Sequence, residues 1–457
     1  MLDLTRRRTL MMLGAAWPMG ARGAEDVWAR QAAIVKRIQA PVFPRRDFAV
    51  TRFGAKGDGK TDCTAGLRAA MEAAAKAGGG RVVVPEGVFL TGAVHLKSNV
   101  NLYVSKGATV KFIPDATLYP MVFTRWEGME CMNYSPFLYC HGQRNVGITG
   151  EGTLDGQAGC EHWWPWSGKA RCGVKGGPDQ RKARAALGEM MERGVAVEKR
   201  VMEGGWLRPQ FVQPYKTDNV VIEGVTIVNS PMWEVNPVLC RNVTVRGLRI
   251  SSHGPNNDGC NPESCRDVLI EGCTFDTGDD CIAIKSGRNA DGRRLGVPSE
   301  NIVVQKCVMK DGHGGVTLGS ECSGGIRNVF VQDCRMDSPN LDRVLRFKNN
   351  AVRGGVLEHV YLRNVEVGQV SGAAIEVDFQ YEEGEKGPYT PVVRDVEVVG
   401  LRCRKAERAL ALRGYAKAPV RDVRLRDCVF EQTAKADVVE HVEGLRMEGV
   451  TVNGKRV

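Results

Sequence analysis

The sequence predicts an all-β fold: a single-stranded right-handed parallel β-helix (solenoid) with an N-terminal capping helix. Three observations predict it. A repeat begins at Asn219 and returns at Asn242, Asp267, Asn301, Asn328, His359, Asp395 and Asp422. Within each unit, apolar residues fall one, three, six and eight places after the start, from Val220, Ile222, Val225 and Ile227 to Val423, Leu425, Cys428 and Phe430. Finally, no recurrent two-residue turn of the kind that joins hairpins is present, which disfavours a sandwich or a propeller. One unit cannot bury its own apolar face, but stacked units can, with rungs about 4.8 Å apart.

Each element follows from that repeat. Alternation over so few residues is a half-buried strand. The phase break after the third position, often at glycine, is a bend that starts a second strand. Asn or Asp at the start suits a turn in which the side chain bonds local backbone. Val82 to Val84, Val100 to Val104 and Val146 to Ile148 read as early rungs, within a domain that runs from 46 to 457. Thr64 to Lys76 is Ala-rich and helical, closing the open end of the solenoid, with Gly78-Gly79-Gly80 ending it. Phe53 to Asp62 lacks the Gly-Lys-Ser/Thr context of a phosphate loop and reads as a tight turn into that helix. Residues 24–45 form a helical or loose lead-in. An insertion at 160–207 carries His162-Trp163-Trp164-Pro165-Trp166 and a charged helical stretch from Asp179 to Glu203.

Four stretches stand apart from the repeat: Asn256-Asn257-Asp258-Gly259, Gly278-Asp279-Asp280-Cys281, Gly312-His313-Gly314-Gly315 and Arg346-Phe347-Lys348. Aligning the inward pairs Cys260/Pro262, Ile282/Ile284, Val316/Leu318 and Leu345/Phe347 puts Asp258 and Asp280 in one column. Asp279 and His313 fall in the next. Arg346, Lys348, Lys285 and Glu263 then point outward on the same patch. An isolated Asp-Asp is ordinarily a solvated turn with weak surface ion pairs. Three aspartates, a histidine and an Arg-x-Lys in register form a site. Crowded carboxylates repel, so one keeps its proton, which glycosidic hydrolysis needs.

The order Asn-x-Asp, Gly-Asp-Asp, Gly-His-Gly and Arg-x-Lys resembles the signature of glycoside hydrolase family 28, the polygalacturonase family, over most of the chain from about Arg46. The resemblance implies the same right-handed β-helix, an inverting mechanism and no cofactor or metal. It implies that Asp279 is the general acid, Asp258 and Asp280 the pair that activates water, and His313 the support of the acid. Arg346 and Lys348 become binders of the substrate carboxylate, with Asn256, Lys285 and Tyr381 as further substrate-binding candidates. Asn261 stands where the family often has another Asp and is expected to face outward, where it could alter the sugar subsite. Phe347 replaces a smaller inward residue. The substrate implied is an acidic plant cell-wall polysaccharide or oligogalacturonide, cleaved at α-1,4-galacturonosyl bonds. Long loops beside the groove favour exo action. The alternatives are a rhamnogalacturonan or xylogalacturonan hydrolase, or a non-catalytic polysaccharide-binding β-helix, which would have no reason to hold three aspartates in register.

Composition agrees with a soluble export product. Hydrophobic content of 43% and charged content of 25% are ordinary for a globular chain. Net charge is +10, of which residues 1–23, with four Arg and one Asp, contribute +3 and the remainder +7. That balance suits an acidic polysaccharide, and no nucleic-acid module is visible. Thr5-Arg6-Arg7-Arg8-Thr9-Leu10 followed by an apolar run reads as a twin-arginine signal peptide over 1–23, too short to anchor in a membrane. A periplasmic or secreted monomer is expected. The chain has 15 Cys, an odd number. Cys273, Cys307, Cys334, Cys403 and Cys428 occupy core columns, where Cys serves as a small unpaired hydrophobe. Trp126, Glu127 and the Trp-rich insertion sit in loops, as sugar platforms or lid packing. Arg208 and Gln210 are within reach of substrate.

Overall fold

The computed structural model describes residues 27–457, so the expected twin-arginine signal peptide lies outside the described residues. Two parallel sheets, each of 14 strands, and a third face divided into a three-stranded and a six-stranded sheet wind along the chain. Successive rungs contribute one strand to each face, and the parallel crossovers take the right hand. The repeat columns are the observed register. Val220 pairs with Val243, Val268, Ile302, Val329, Val360, Val396 and Val423 in turn. Ile227, Ile250, Phe275, Met309 and Met336 form the matching column of the second sheet.

The residue that starts each unit adopts the left-handed conformation, with φ of 58° at Asn219, Asn242 and Asp267 and 59° at Asn301. Asn and Asp tolerate this region better than most side chains. Their side chains do not bond local backbone as the sequence suggested. They bond one another from rung to rung: Asn145 donates to Asn99 at 2.8 Å, Asn219 to Asn145 at 2.9 Å, and Asn242 to Asn219 at 2.8 Å. An amide has both a donor and an acceptor, so the rung spacing lets it stack where a backbone bond would use only one.

The bore of the solenoid is apolar, and the five core-column cysteines lie in it. One disulfide, Cys160–Cys172, is present, and the other thirteen cysteines are free and buried. Helix α1 (Val27–Arg37) is no loose lead-in: Ile34 and Ile38 pack against the outward column Leu269, Val303, Phe330 and Tyr361. Helix α2 (Thr64–Lys76) buries Leu67, Ala70, Met71 and Ala74 in the main core at the open end. The stretch before it is partly strand, Asp58–Asp62, whose Asp58 carboxylate accepts the amides of Lys60 and Thr61 at 2.9 and 2.8 Å.

The insertion holds a shorter helix than expected, α3 (Arg181–Glu192), followed by a 3-10 turn, Val197–Lys199. It packs on a hairpin, Met121–Trp126 with Met129–Tyr134, and on α4 (Asn289–Leu295). Trp126 is fully buried there, its indole donating to the Arg208 carbonyl at 3.0 Å, and Trp163 is buried against Tyr119 and Phe137. Neither is a sugar platform, because indole surface gains more from the apolar wall than from water.

Candidate active site

The third face positions the chemistry. Strands Ile282–Ile284, Val316–Leu318 and Leu345–Lys348 lie side by side, with Ile282 paired to Val316 and Val316 to Leu345. Cys260 bridges Ile282 in parallel, so the turns before the strands stack in register and Asp258 sits over Asp280 as aligned. Gly314 follows in that column because a Cβ there would lie 2.3 Å from the Thr317 hydroxyl and 2.9 Å from Asp280 Oδ1. The missing side chain leaves room for the carboxylate.

Each acid has its own surroundings. Asp280 is fully buried: Oδ2 accepts from Lys348 Nζ at 2.7 Å, Oδ1 accepts from the Thr317 hydroxyl at 2.8 Å, and Arg346 stands 3.7 Å away. Asp258 is nearly as buried; its Oδ2 accepts from Asn261 Nδ2 at 2.8 Å, with Lys285 Nζ at 3.6 Å. Asp279 Oδ1 lies 3.1 Å from His313 Nδ1 and also accepts the Asp280 amide at 3.0 Å.

These surroundings set the protons. Burial, reinforced by the Asp279 charge, pushes the Asp258 carboxyl well up, and Lys285 only partly offsets this. Burial also acts to raise Asp279, but the hydrogen bond and charge of His313, with Lys348 and Lys169 behind, hold it well below the usual range. The hydrogen bond to Asp279 raises His313 against its own burial. The surroundings thus draw the proton of that pair toward the imidazole and favour the neutral form of Asp258, whereas the crowding argument alone pointed to Asp279.

The other expected residues gather here with altered roles. Arg346 Nε bonds Glu376 at 3.1 Å, and Tyr381 lies beneath both cations, 5.7 Å from the Arg346 guanidinium and 5.5 Å from Lys348 Nζ. Lys285 is held by Glu321 at 2.9 Å and covers the Trp233 ring at 4.4 Å. Asn256 borders the cleft, its Oδ1 held by Arg208 at 2.8 Å. Arg208 and Gln210 are buried and bond protein atoms, so neither faces substrate. Asn261 points away from the bore as expected, but it is fully buried and donates to Asp258, with its own Oδ1 left unpartnered. Phe347 faces the core as expected.

Sequence reasoning named Glu127 only as a loop residue and missed Trp233, Glu321, Arg184 and Glu382; all five line the same cleft. Trp233 was reachable, because Val235 bridges Cys260 and so sets it in the Asp258 column. Glu127 was not. It sits at the tip of the hairpin, where Arg184 of α3 grips it at 2.6 Å and Arg288 at 3.2 Å. Through Glu127 and Arg184 that three-residue brace reaches the lining of the cleft. Among the described residues, one group has metal-ligand spacing, His253, Asp276 and Asp311, and it lies outside the carboxylate cluster.

Comparison with known proteins bears on this geometry. The profile of Glycosyl hydrolases family 28 matches residues 195–448, and that of Rhamnogalacturonase A/epimerase, pectate lyase-like, matches 48–163. A probable polygalacturonase of Vitis vinifera is 28% identical over 422 residues, 87% of this chain and 78% of its own length. An exo-poly-alpha-D-galacturonosidase of Dickeya chrysanthemi is 26% identical over 75% of this chain and 58% of its own. The crystal structure of a hyperthermoactive exopolygalacturonase from Thermotoga maritima superposes with a TM-score of 0.92 and 46% identity, covering 95% of this chain and 97% of that one.

Proposed function

Because the chain belongs to family 28 of the glycosyl hydrolases, we propose that it hydrolyses α-1,4-galacturonosyl bonds of pectin-type polysaccharide from a chain end. The observation that carries this reading is the cluster Asp258, Asp279 and Asp280 in a cleft also lined by Glu127 and Arg184, which pair with each other while Arg288 pairs with Glu127. On this reading the brace blocks one end of the cleft, so that a terminus enters and a continuing chain does not. The names of the Dickeya and Thermotoga relatives point the same way.

The chemistry assigns a task to each acid. Asp280, fixed by Lys348 and Thr317, and Asp258 one rung away hold a water between them, and Asp280 takes its proton as it attacks the anomeric carbon. Asp279, resupplied by His313, protonates the departing glycosidic oxygen. With the water held by one column and the acid in the next, attack comes from the face opposite departure, and the anomeric configuration inverts. Lys348, Arg346 and Tyr381 face the uronate of the bound sugar.

Export belongs to the same proposal. The run Thr5-Arg6-Arg7-Arg8 supports twin-arginine transport, and the Cys160–Cys172 disulfide suits an oxidising compartment. Among the described residues no helix is long and apolar enough to cross a membrane.

The test is a time course on polygalacturonate and on defined pectic oligosaccharides, with and without chelator. Monomer or dimer alone from the first minutes supports the reading. A ladder of intermediate lengths would reject exo action, and cleavage confined to rhamnose-containing oligomers would reject the substrate. Proton NMR of the first product should show the β-anomer; the α-anomer first would make one aspartate a nucleophile.

A further inference from the structure

Asp258 and Asp280 are held differently. Each oxygen of Asp280 has a donor: Lys348 Nζ on Oδ2 at 2.7 Å and the Thr317 hydroxyl on Oδ1 at 2.8 Å. The donors near Asp258 both face one oxygen, Oδ2: Asn261 Nδ2 at 2.8 Å and Lys285 Nζ at 3.6 Å. Among the described residues no donor reaches Oδ1, which opens on the cleft that Asp258 lines.

The register sets Asn261 there. It lies in the outward column that continues through Ala283, Thr317 and Arg346. From that column Thr317 serves Asp280, Ala283 has no donor to offer, and Asn261 serves Asp258. The main chain of Asn261 is pinned on both sides, its amide donating to the Val235 carbonyl at 2.7 Å and its carbonyl accepting from Asn236 Nδ2 at 2.9 Å. The side chain is fully buried, and its own Oδ1 has no partner. A buried amide oxygen left unpaired is a penalty that packing alone does not explain. Turning the amide over would set its oxygen against Asp258 Oδ2, which suits only a carboxyl protonated on that oxygen. With Lys285 beside the same oxygen, a proton there would face a cation. The observed orientation keeps Oδ2 an acceptor.

We infer that Asn261 is a positioning residue: its amide holds Asp258 by Oδ2 and so confines the titrating proton to Oδ1, the oxygen that meets the water. This inference rests on the hydrolase reading and adds to it the group that presents Asp258 to the water. The charged groups facing Asp258 are Asp279, Asp280, Lys285 and Lys348. Glu234 is fully buried in the preceding rung, where burial and the Asp258 charge push its carboxyl well up and disfavour its ionisation. None of these replaces the Asn261 donor, since Lys285 is engaged by Glu321 at 2.9 Å and Lys348 by Asp280 at 2.7 Å.

Two variants of the full-length enzyme, assayed on polygalacturonate, test this role. Asn261→Asp offers an O–H in place of the N–H while it is protonated, and a second negative charge beside Asp258 once it ionises. The ratio of its kcat to that of wild type should lie within about threefold of unity at acid pH and fall about tenfold or more as pH rises through the new carboxyl. A ratio that stays flat from acid through alkaline pH, at whatever level, overturns the inference. Asn261→Ala buries no charge and decides the matter where Asn261→Asp does not fold. Its kcat should fall about tenfold with KM within about twofold of wild type, and the same substitution made in Asp258→Ala should cost nothing further. An equal loss in both backgrounds would be the mark of packing alone and would overturn the positioning role while leaving the hydrolase reading intact. A wild-type enzyme inactive on polygalacturonate and on the pectic oligosaccharides overturns that reading, and the role of Asn261 with it.

Discussion

Asp258, Asp280 and Lys348 on the cleft floor are placed by strand register, whereas Glu127, Arg184 and Arg288 in the wall are placed by ion pairs between segments distant in the chain. The floor inherits its spacing from rungs about 4.8 Å apart, so two carboxylates can share one water without any loop having to find its place. The wall depends on an outer layer that carries its own buried charges, among them Arg200–Asp291 at 2.7 Å and Arg125–Glu263 at 3.1 Å. On the proposed reading the backbone repeat decides what reaction occurs, and the outer layer of hairpin, insertion and α4 decides where on the polymer it occurs. If that division holds, floor mutations should abolish chemistry and wall mutations should redirect it.

The largest effect belongs to the floor. Asp279→Asn should lower kcat by about 10³-fold or more with the circular dichroism of the fold preserved, since it removes the proton donor. Asp258→Asn and Asp280→Asn should each cost a similar amount. Because both grip one water, their double variant should lose far less than the product of the single losses. Multiplicative losses would mean that the two act separately.

Lys348→Ala comes next and tests how the floor is supported. The sequence alone suggested a binder of the substrate carboxylate, whose loss would raise KM strongly. Lys348 is buried against Asp280, so its removal strands a buried carboxylate. A loss of about 10²-fold is expected, divided between kcat and KM, with a lower Tm. A change in KM alone would restore the simpler reading.

The wall should respond differently. Glu127→Ala releases Arg184 and Arg288 and, on the proposed reading, opens the blocked end. The expected result is about a tenfold fall in kcat/KM on short oligomers, together with longer products from polygalacturonate. An unchanged product profile would mean that chain-end selection lies elsewhere.

The same contrast explains what the sequence revealed. The columns from Val220 to Val423 and the stacking of Asp258 on Asp280 were legible because one period fixes every rung, and reading the period reads the neighbours. Even Trp233 obeys it. The bracing of Glu127 was not legible, because no periodicity links residue 127 to residues 184 and 288. The tryptophans of the insertion left packing and sugar binding equally open for the same reason: loop position says nothing of the apolar wall that buries Trp163. The pull of His313 on the proton also escaped, because it depends on a 3.1 Å contact rather than on which acids are crowded together.

The smallest predicted effect concerns stability and isolates the strain held in the floor. Burial and the Asp279 charge raise the Asp258 carboxyl above its ordinary value. Between the ordinary and the raised value, the folded protein therefore binds a proton that the unfolded chain has already released. Stability contributed by this group is fully present below the ordinary carboxylate value and is lost as pH rises through the raised one. An asparagine at 258 has nothing to titrate and keeps an oxygen for the Asn261 amide. The Tm of Asp258→Asn minus that of wild type should consequently be smallest at acid pH and grow by a few degrees toward neutrality, while activity is lost. Asp279 gives the opposite sign: His313 holds it low, so its contribution is present above the ordinary value and fades as pH falls through the depressed one. Differential scanning calorimetry of the two asparagine variants against wild type across pH would therefore show differences that both open toward neutrality but in opposite directions, with Asp258→Asn above wild type and Asp279→Asn below. If Asp258→Asn instead fell below wild type as pH rose, Asp258 would be a stabilising ion, and the proton would have to be sought on another group.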